Sequence, residues 1–238
     1  MSNALLDYLN KRLGDKAPAK KQIKNPGPLI TISRQVGCEG VKLATLLVES
    51  LNRHTLEPYW KVLSKEIFYE SAKELNMDPK QVSRIFKFDS NILSEILNAF
   101  GTKKFVSEKK IIRTVHEVIH SFAEEGYCII VGRAAHIIAH DIRNALHIRL
   151  TAPIEYRINT IMANKGMNEQ EAQEFINKVE KEREYFRRSI SKELLEKECF
   201  DLCINRASFQ EQEILELVKF ALKKKHTFTD YVQSIQYY

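Results

Sequence analysis

Residues 29–40 read LITISRQVGCEG, and this stretch decides the fold. It opens with an apolar, β-branched run of the kind that is buried in a parallel sheet. Residues 40–52 then show apolar side chains at helical spacing. Between them, Gly37 and Gly40 permit positive φ and close approach of a ligand to the backbone, so loop amides and a helix N-terminus can converge on an anion. An ordinary strand-to-helix turn has the same composition, so both interpretations stay open here.

The rest of the chain alternates short apolar runs with longer amphipathic patterns. This alternation predicts an α/β fold, a doubly wound parallel sheet of about five strands with helices on both faces. The further predicted strands are residues 60–63, 127–131, 145–150 and 200–204. The further predicted helices are residues 65–75, 79–86, 90–99, 105–124, 153–165, 169–190 and 209–224.

Changes in composition divide the chain into three parts. Residues 1–28 combine a short amphipathic helix with a linker rich in Lys, Pro and Gly. Residues 29–225 form the domain, and the helical block at residues 64–125 is predicted to be a cap inserted into it. Residues 226–238 are a polar and aromatic tail without a clear period.

Composition limits the partners and the compartment. The net charge of +6 suits an anionic ligand, although lysine-rich stretches near both termini supply much of the excess. No RNP-like, zinc-finger or basic-zipper pattern occurs, so we expect no nucleic-acid partner. No apolar run approaches the roughly 20 residues that span a bilayer, and the first residues lack a secretory signal. With four cysteines and no CxxC pair, the sequence predicts a cytoplasmic protein without a membrane partner or a disulfide framework.

Five short motifs follow the loop motif ITISRQ of residues 30–35. They are SKEIF at 64–68, CIIVGRAA at 128–135, TAPIEYR at 151–157, EKEREY at 180–185 and FDLCIN at 200–205. In this order they resemble the cytidylate kinase-like family, a branch of the P-loop nucleoside monophosphate kinases, whose patterns include VIVGRGA, APxxxR, DKxRxxY and YDLxIN. The resemblance covers about residues 29–222.

This resemblance implies the three-layer P-loop kinase fold, with ATP and Mg²⁺ as cofactors and an acceptor nucleotide under the cap. CMP or dCMP is the first acceptor to test, and the oligomeric state, including a homodimer, stays open. The implied phosphate- and nucleotide-binding residues are Ser33, Arg34, Gln35, Gly37, Cys38, Glu39, Gly40, Val41 and Lys42. The implied acceptor-binding residues are Lys65, Arg133 and Arg157. The implied catalytic residues are Arg183, Arg187 and Lys42.

The loop departs from the usual P-loop pattern at several positions. Gly40 stands where the Walker lysine would be, and Glu39 replaces a loop glycine. A carboxylate beside a phosphate repels it by about 4 kcal/mol at 4 Å and an effective dielectric constant of 20, unless it points away. Lys42 lies near the position of the Mg²⁺-binding Ser or Thr, where it could replace the missing cation or displace the metal. Arg34 is the other candidate replacement.

Two further departures keep a second hypothesis open. Ser64 and Ala134 stand where the family tends to have Asp. The chain could therefore be a non-catalytic nucleotide- or phosphate-binding protein that has lost phosphotransfer. Likewise, Glu180 and Glu184 could pair with Arg183, Arg187 and Arg188 on a solvated helix, in which case Arg183 and Arg187 would not close on a phosphoryl group.

A competing motif lies in the predicted helix 105–124. His116, Glu117 and His120 match HExxH, in which two histidines at i and i+4 share zinc while the glutamate activates water. His136 and His140 repeat the spacing. The first two histidines flank the apolar stripe of their helix, and no third-ligand signature follows. We therefore interpret the segment as a packing helix, expect no metal site, and keep a zinc hydrolase as a remote alternative.

Overall fold

The computed structural model describes residues 28–53, 60–64, 108–190 and 199–225. Several sequence predictions fall outside these residues. They are the N-terminal helix and nearly all of the linker in 1–28, the helices 65–75, 79–86 and 90–99, the acceptor-binding Lys65, and the tail 226–238.

Five parallel strands form one sheet in the order β2-β3-β1-β4-β5. Their bounds are β1 Leu29–Arg34, β2 Lys61–Leu63, β3 Cys128–Val131, β4 Ala145–Thr151 and β5 Leu202–Asn205. The central strand β1 pairs Leu29 with Cys128 on one side and with Ala145 on the other. The predicted parallel α/β sheet is confirmed.

Helices connect the strands. Their bounds are α1 Gly40–Asn52, α2 Glu108–Glu125, α3 Ala135–Ile138, α4 Ile154–Lys165, α5 Glu169–Ile190 and α6 Glu211–Lys224. The one-turn helix α3 was not predicted, because four residues are too few to show a helical period. Helix α6 begins with a capping box between Gln210 and Glu213, in which each side chain accepts the other's backbone N–H.

Each face of the sheet is covered by its own helices. On one face, α2 and α3 pack on β1 and β3, with Val115 and Ile119 of α2 fully buried. On the other face, α1 and α6 pack through residues such as Leu47 and Val218. A buried side chain of this size contributes about 1.5–3 kcal/mol. Helix α2, the last part of the range assigned to the cap, thus lies directly on the sheet.

A third apolar cluster ties the loop after β1 to the helices beyond β4. Val36 of the loop packs with Ile158 of α4 and with Ala172 and Ile176 of α5. Because all strands are parallel, their carboxyl ends share one edge of the sheet, and ligands of open α/β folds bind there. The loop, α4 and α5 meet at this edge. Among the described residues, no helix is both long and apolar enough to cross a membrane.

Candidate phosphate-binding site

The loop after β1 is anchored at its start by Gln35. The backbone N–H of Gln35 donates to the carbonyl of Leu150 at 3.0 Å, and its side-chain oxygen accepts from the N–H of Ala152 at 3.0 Å. Two residues later, Gly37 has φ 91°, and a Cβ atom there would lie 2.8 Å from the Cα of Arg157. Glycine at position 37 is therefore required both by backbone conformation and by space.

The loop ends at Glu39, whose carboxylate turns away from the loop. Glu39 has φ 48° and makes no side-chain capping bond to α1. Its carboxylate accepts a hydrogen bond from Asn164 at 3.2 Å and lies 3.8 Å from the guanidinium of the buried Arg206. The first-turn amides of a helix have no acceptor within the helix, so the start of α1 presents N–H groups and a positive dipole to an anion.

Arg34 fills the space beside the loop. A Cβ atom on Gly40 would lie 3.2 Å from the Arg34 stem, and one on Gly132 would collide with the Arg34 guanidinium. The stem of Arg34 thus lies against Gly40, the residue that the sequence comparison expected at the place of the Walker lysine. Glycine at positions 40 and 132 leaves room for the Arg34 side chain. One arginine thus accounts for the absence of a side chain at both positions.

Positive charge accumulates around Arg34. Burial lowers the pKa of Arg34 to about 9, and repulsion from Arg183, Arg133 and Arg149 acts in the same direction. Among the described residues, Glu180 is the carboxylate that opposes this repulsion and raises the pKa of Arg34. Four guanidinium groups and one carboxylate of the described chain, in a buried setting, form a site that favours an anion with several charges.

The turn after β3 holds part of this cluster in a strained conformation. Gly132, Arg133 and Ala134 have φ 77°, 57° and 54°, three left-handed residues in succession. Each of the two non-glycine residues costs about 1–2 kcal/mol in this region. Such strain is concentrated at functional sites, and here it bends the chain around the Arg34 guanidinium.

Besides its apolar packing against Val36, helix α5 makes hydrogen bonds to the end of β1 and to the loop through two polar side chains. Arg183 donates from Nη1 to the carbonyl of Arg34 at 2.9 Å, and Oε1 of Glu180 accepts the N–H of Val36 at 2.6 Å. Glu180 also lies 3.6 Å from Nη1 of Arg157. Burial, more than any neighbouring charge, lowers the pKa of Arg183, and Arg187 contributes repulsion. The solvated pairing considered for this helix occurs one turn further on, between Arg188 and Glu184.

The remaining predicted loop residues have separate surroundings. Arg149 donates to the hydroxyl of Ser33 at 2.7 Å. Cys38 is fully buried, and burial raises the pKa of its thiol. Val41 is 47% exposed. Lys42 pairs with Glu211 at 3.2 Å, with half of its side chain exposed, and the same Glu211 oxygen lies 3.3 Å from Nη2 of Arg206.

A cavity of about 520 Å³ adjoins the start of α1. Its lining includes Glu39, Lys42, Tyr156, Arg206 and Phe209. Arg206 is 5% exposed, and within the described part of the chain its Nε finds no hydrogen-bond acceptor. Nη2 of Arg206 donates to Glu211 at 3.3 Å. Next to the amides of α1, the cavity thus combines two aromatic rings with a paired arginine and with the carboxylates of Glu39, Glu211 and Glu213.

The HExxH residues form no comparable site. His116 and His120 stack with ring centroids 6.3 Å apart, and His120 lies 3.5 Å from Glu124 and 3.6 Å from Asp141. Glu117 pairs with Arg113. In the part of the chain that is described, no three His, Cys, Asp or Glu side chains are placed to hold a metal ion.

Sequence reasoning did not assign three residues that the structure brings to this edge. Arg149 lies in the predicted strand 145–150, where a charged residue in an apolar parallel strand is a recognisable signal. Arg206 follows β5 directly, at the carboxyl edge. Glu180 belongs to the EKEREY motif, but the sequence suggested only a role as a surface ion-pair partner of the arginines. Its contact with Val36 gives no signal in the sequence, because the two residues are far apart in the chain.

The fold and this edge define a P-loop kinase architecture: a five-stranded parallel sheet whose central strand leads through a glycine loop into a helix. Within that class, the chain belongs to the cytidylate kinase-like family, whose model matches residues 29–208. The family expected from the motifs is confirmed. A comparison with curated proteins found no match.

Several solved structures are similar to this chain at low sequence identity, and the first shares its fold. An uncharacterized protein from Eubacterium ventriosum has a TM-score of 0.57 and 18% identity, covering 83% of this chain and 99% of that one. A shikimate kinase from Bacteroides thetaiotaomicron has a TM-score of 0.44 and 12% identity, covering 81% of this chain and 98% of its own. A dephospho-CoA kinase from Campylobacter jejuni has a TM-score of 0.37 and 15% identity, covering 82% and 97% respectively.

Proposed function

We propose that this chain is an ATP-dependent phosphotransferase that acts on a nucleoside monophosphate, with CMP or dCMP the first acceptor to test. The observation that supports it is the convergence of Arg34, Arg133, Arg149 and Arg183 beside the loop before α1, where Glu180 is the opposing carboxylate among the described residues. A polyanion compensates such charge best. Phosphoryl transfer is catalysed mainly by cations positioned around the transferred group.

The arginines fall into three roles in this proposal. Arg34 replaces the Walker lysine, because its stem crosses Gly40 at the lysine's position. Arg183 donates one of its five N–H groups to the Arg34 carbonyl, and its other donors can bind the transferred phosphoryl group. Arg187 lies near Arg183. Arg133 and Arg157, together with Lys65, bind the acceptor.

The fit to the two cofactors differs. The arginines and the uncapped start of α1 suit the phosphates of ATP. The first three residues of α1, Gly40, Val41 and Lys42, offer no side-chain oxygen to Mg²⁺, so this helix does not fit a metal ligand set. In this proposal Mg²⁺ would enter the site bound to the phosphate oxygens of ATP. Lys42 is a weaker candidate for a catalytic cation than Arg34, because it pairs with Glu211.

The cavity beside α1 is proposed to hold the nucleoside of ATP. Its volume of about 520 Å³ lies within the range of small-molecule sites, roughly 300–1,000 Å³. Tyr156 and Phe209 can contact a planar base, and Phe209 is 43% exposed before any ligand is bound.

The direct test is incubation of the purified protein with ATP, Mg²⁺ and each of a panel of nucleoside monophosphates and other small phosphate acceptors. We expect ADP and a phosphorylated product with at least one monophosphate. Absence of product across the panel, with the protein folded, rules the proposal out. Repeating the productive reaction with a chelator measures the contribution of Mg²⁺.

A second candidate is a nucleotide-binding protein without phosphotransfer. It is favoured by the pairing of Lys42 with Glu211 and by Ala134, which offers no carboxylate in the turn after β3. Isothermal titration with ATP and several monophosphates separates the two candidates. Binding without turnover supports the second, and turnover rejects it.

A further inference from the structure

We propose that Glu180 is a positioning residue that fixes helix α5 on the loop after β1 and thereby holds Arg183 and Arg157 at the site. Its kinetic consequence rests on the phosphotransfer proposed above. Its structural consequence, a loop held by α5 before any nucleotide binds, does not. The two consequences can therefore be measured separately.

The contact between α5 and the loop is reciprocal. Glu180 and Arg183 are three residues apart and so lie on one face of the helix. Glu180 accepts the N–H of Val36 at 2.6 Å, while Arg183 donates to the carbonyl of Arg34 at 2.9 Å. One acceptor and one donor on α5 thus bind one donor and one acceptor of the loop backbone, and only one register of the helix satisfies both.

Apolar packing alone would not fix this register. Val36 packs against Ala172 and Ile176 of the same helix, but burial of apolar surface is not directional. Both polar contacts are directional and charge-assisted, because one has the Glu180 carboxylate as acceptor and the other has the Arg183 guanidinium as donor. Glu180 therefore fixes the orientation of α5 against the loop, whereas apolar packing is compatible with several orientations.

Glu180 also opposes the repulsion among the arginines. Its Oε1 lies 3.6 Å from Nη1 of Arg157, whose side chain is 12% exposed and whose Nε has no acceptor among the described residues. Within the part of the chain that the structure describes, Glu180 is the carboxylate that acts on Arg34 against three arginines. Removing this charge leaves the guanidinium groups to separate, and the geometry offered to a phosphoryl group is lost with them.

Two variants and one matched control test the proposal. Glu180→Ala removes both the charge and the acceptor, whereas Glu180→Gln keeps an oxygen acceptor for Val36 and removes only the charge. Glu184→Ala removes a carboxylate one turn along the same helix, where it pairs with the solvated Arg188. In amide hydrogen exchange on nucleotide-free protein, we expect loop peptides over residues 34–40 to exchange about tenfold faster in Glu180→Ala, with β4 peptides unchanged. Equal exchange in all variants overturns the structural claim.

The kinetic readout separates positioning from simple binding. We expect kcat to fall about 100-fold in Glu180→Ala and about tenfold in Glu180→Gln, with KM for ATP changed less than about threefold. Glu184→Ala should stay within about twofold of the wild type. An unchanged kcat with tighter ATP binding in Glu180→Ala would mean that the carboxylate competes with phosphate, and it overturns the positioning role. If the wild type transfers no phosphoryl group, the proposed function fails, while the exchange experiment still decides the contact.

Discussion

The loop at residues 33–42 and the pentapeptide at residues 116–120 differ in opposite ways from the motifs they resemble. The loop lacks the Walker lysine and carries Glu39 in place of a loop glycine. Arginines from β1, β4, α5 and the turn after β3 nevertheless surround the loop. The pentapeptide matches HExxH letter for letter, yet its histidines stack on each other and pair with Glu124 and Asp141. Convergence of distant segments distinguishes the two regions better than the local match does.

The largest expected effect is on Arg34. Replacing Arg34 with Met should lower kcat/KM by roughly 10³-fold or more, because one cation at a transferring phosphoryl group is worth this much. Thermal stability should not fall, because the variant removes a buried charge that three like charges repel. Steady-state kinetics and thermal unfolding measure the two quantities.

The matched control for Arg34→Met comes from the other region. His120→Gln should leave kcat/KM within about twofold of the wild type, because His120 makes no contact with the loop. A variant at His120 that loses activity while Arg34→Met retains it would reverse the comparison between the two regions.

The next largest effect is expected for alanine substitutions at two glycines that have similar φ angles. Gly132 and Gly166 have φ 77° and 66°, but a Cβ on Gly132 meets the Arg34 guanidinium, whereas one on Gly166 has nothing within 4 Å. Gly166→Ala should cost about 1 kcal/mol of unfolding free energy from conformation alone. Gly132→Ala should cost a similar conformational term and should also displace the Arg34 guanidinium, because the new Cβ meets the far end of that flexible side chain. Urea unfolding measures both free energies, and we expect kcat/KM to fall in Gly132→Ala only. An equal kcat/KM in the two variants would show that Arg34 does not occupy this space.

The sequence predicted most of the fold because apolar periodicity is local. The helix ends predicted at residues 40–52 and 169–190 agree with the structure to the residue, and the five parallel strands follow from alternation. The direction of the Glu39 carboxylate was not predictable, because it depends on Asn164 and Arg206 in distant segments. Arg34 was named as a replacement for the lysine, but only the structure shows its stem beside Gly40.

Anion binding should distinguish the two regions without any turnover. ATP or inorganic phosphate at about 100 times its dissociation constant should raise the unfolding free energy by about 2.7 kcal/mol. The increase should weaken with added salt and disappear in Arg34→Met, because the arginines at the loop supply it. Zinc should give no such increase. A zinc-dependent rise in the thermal midpoint that His120→Gln abolishes would establish a metal site at residues 116–120.

The smallest expected effect concerns the pH dependence of stability at His116. Burial is the largest cause that lowers the pKa of His116, and repulsion from His120 adds to it, while Glu117 and Asp141 oppose it. A folded-state pKa below the unfolded value means that the unfolded chain binds the proton more readily, so stability is present above about pH 6.5 and is lost as the pH falls below it. We expect His116→Gln to match the wild type within about 0.5 kcal/mol at pH 8 and to lose less stability between pH 7 and pH 5. Urea unfolding across this range measures the difference. If instead the catalytic rate, and not the stability, followed this titration, His116 would act in chemistry, and the distinction between the two regions would have to be abandoned.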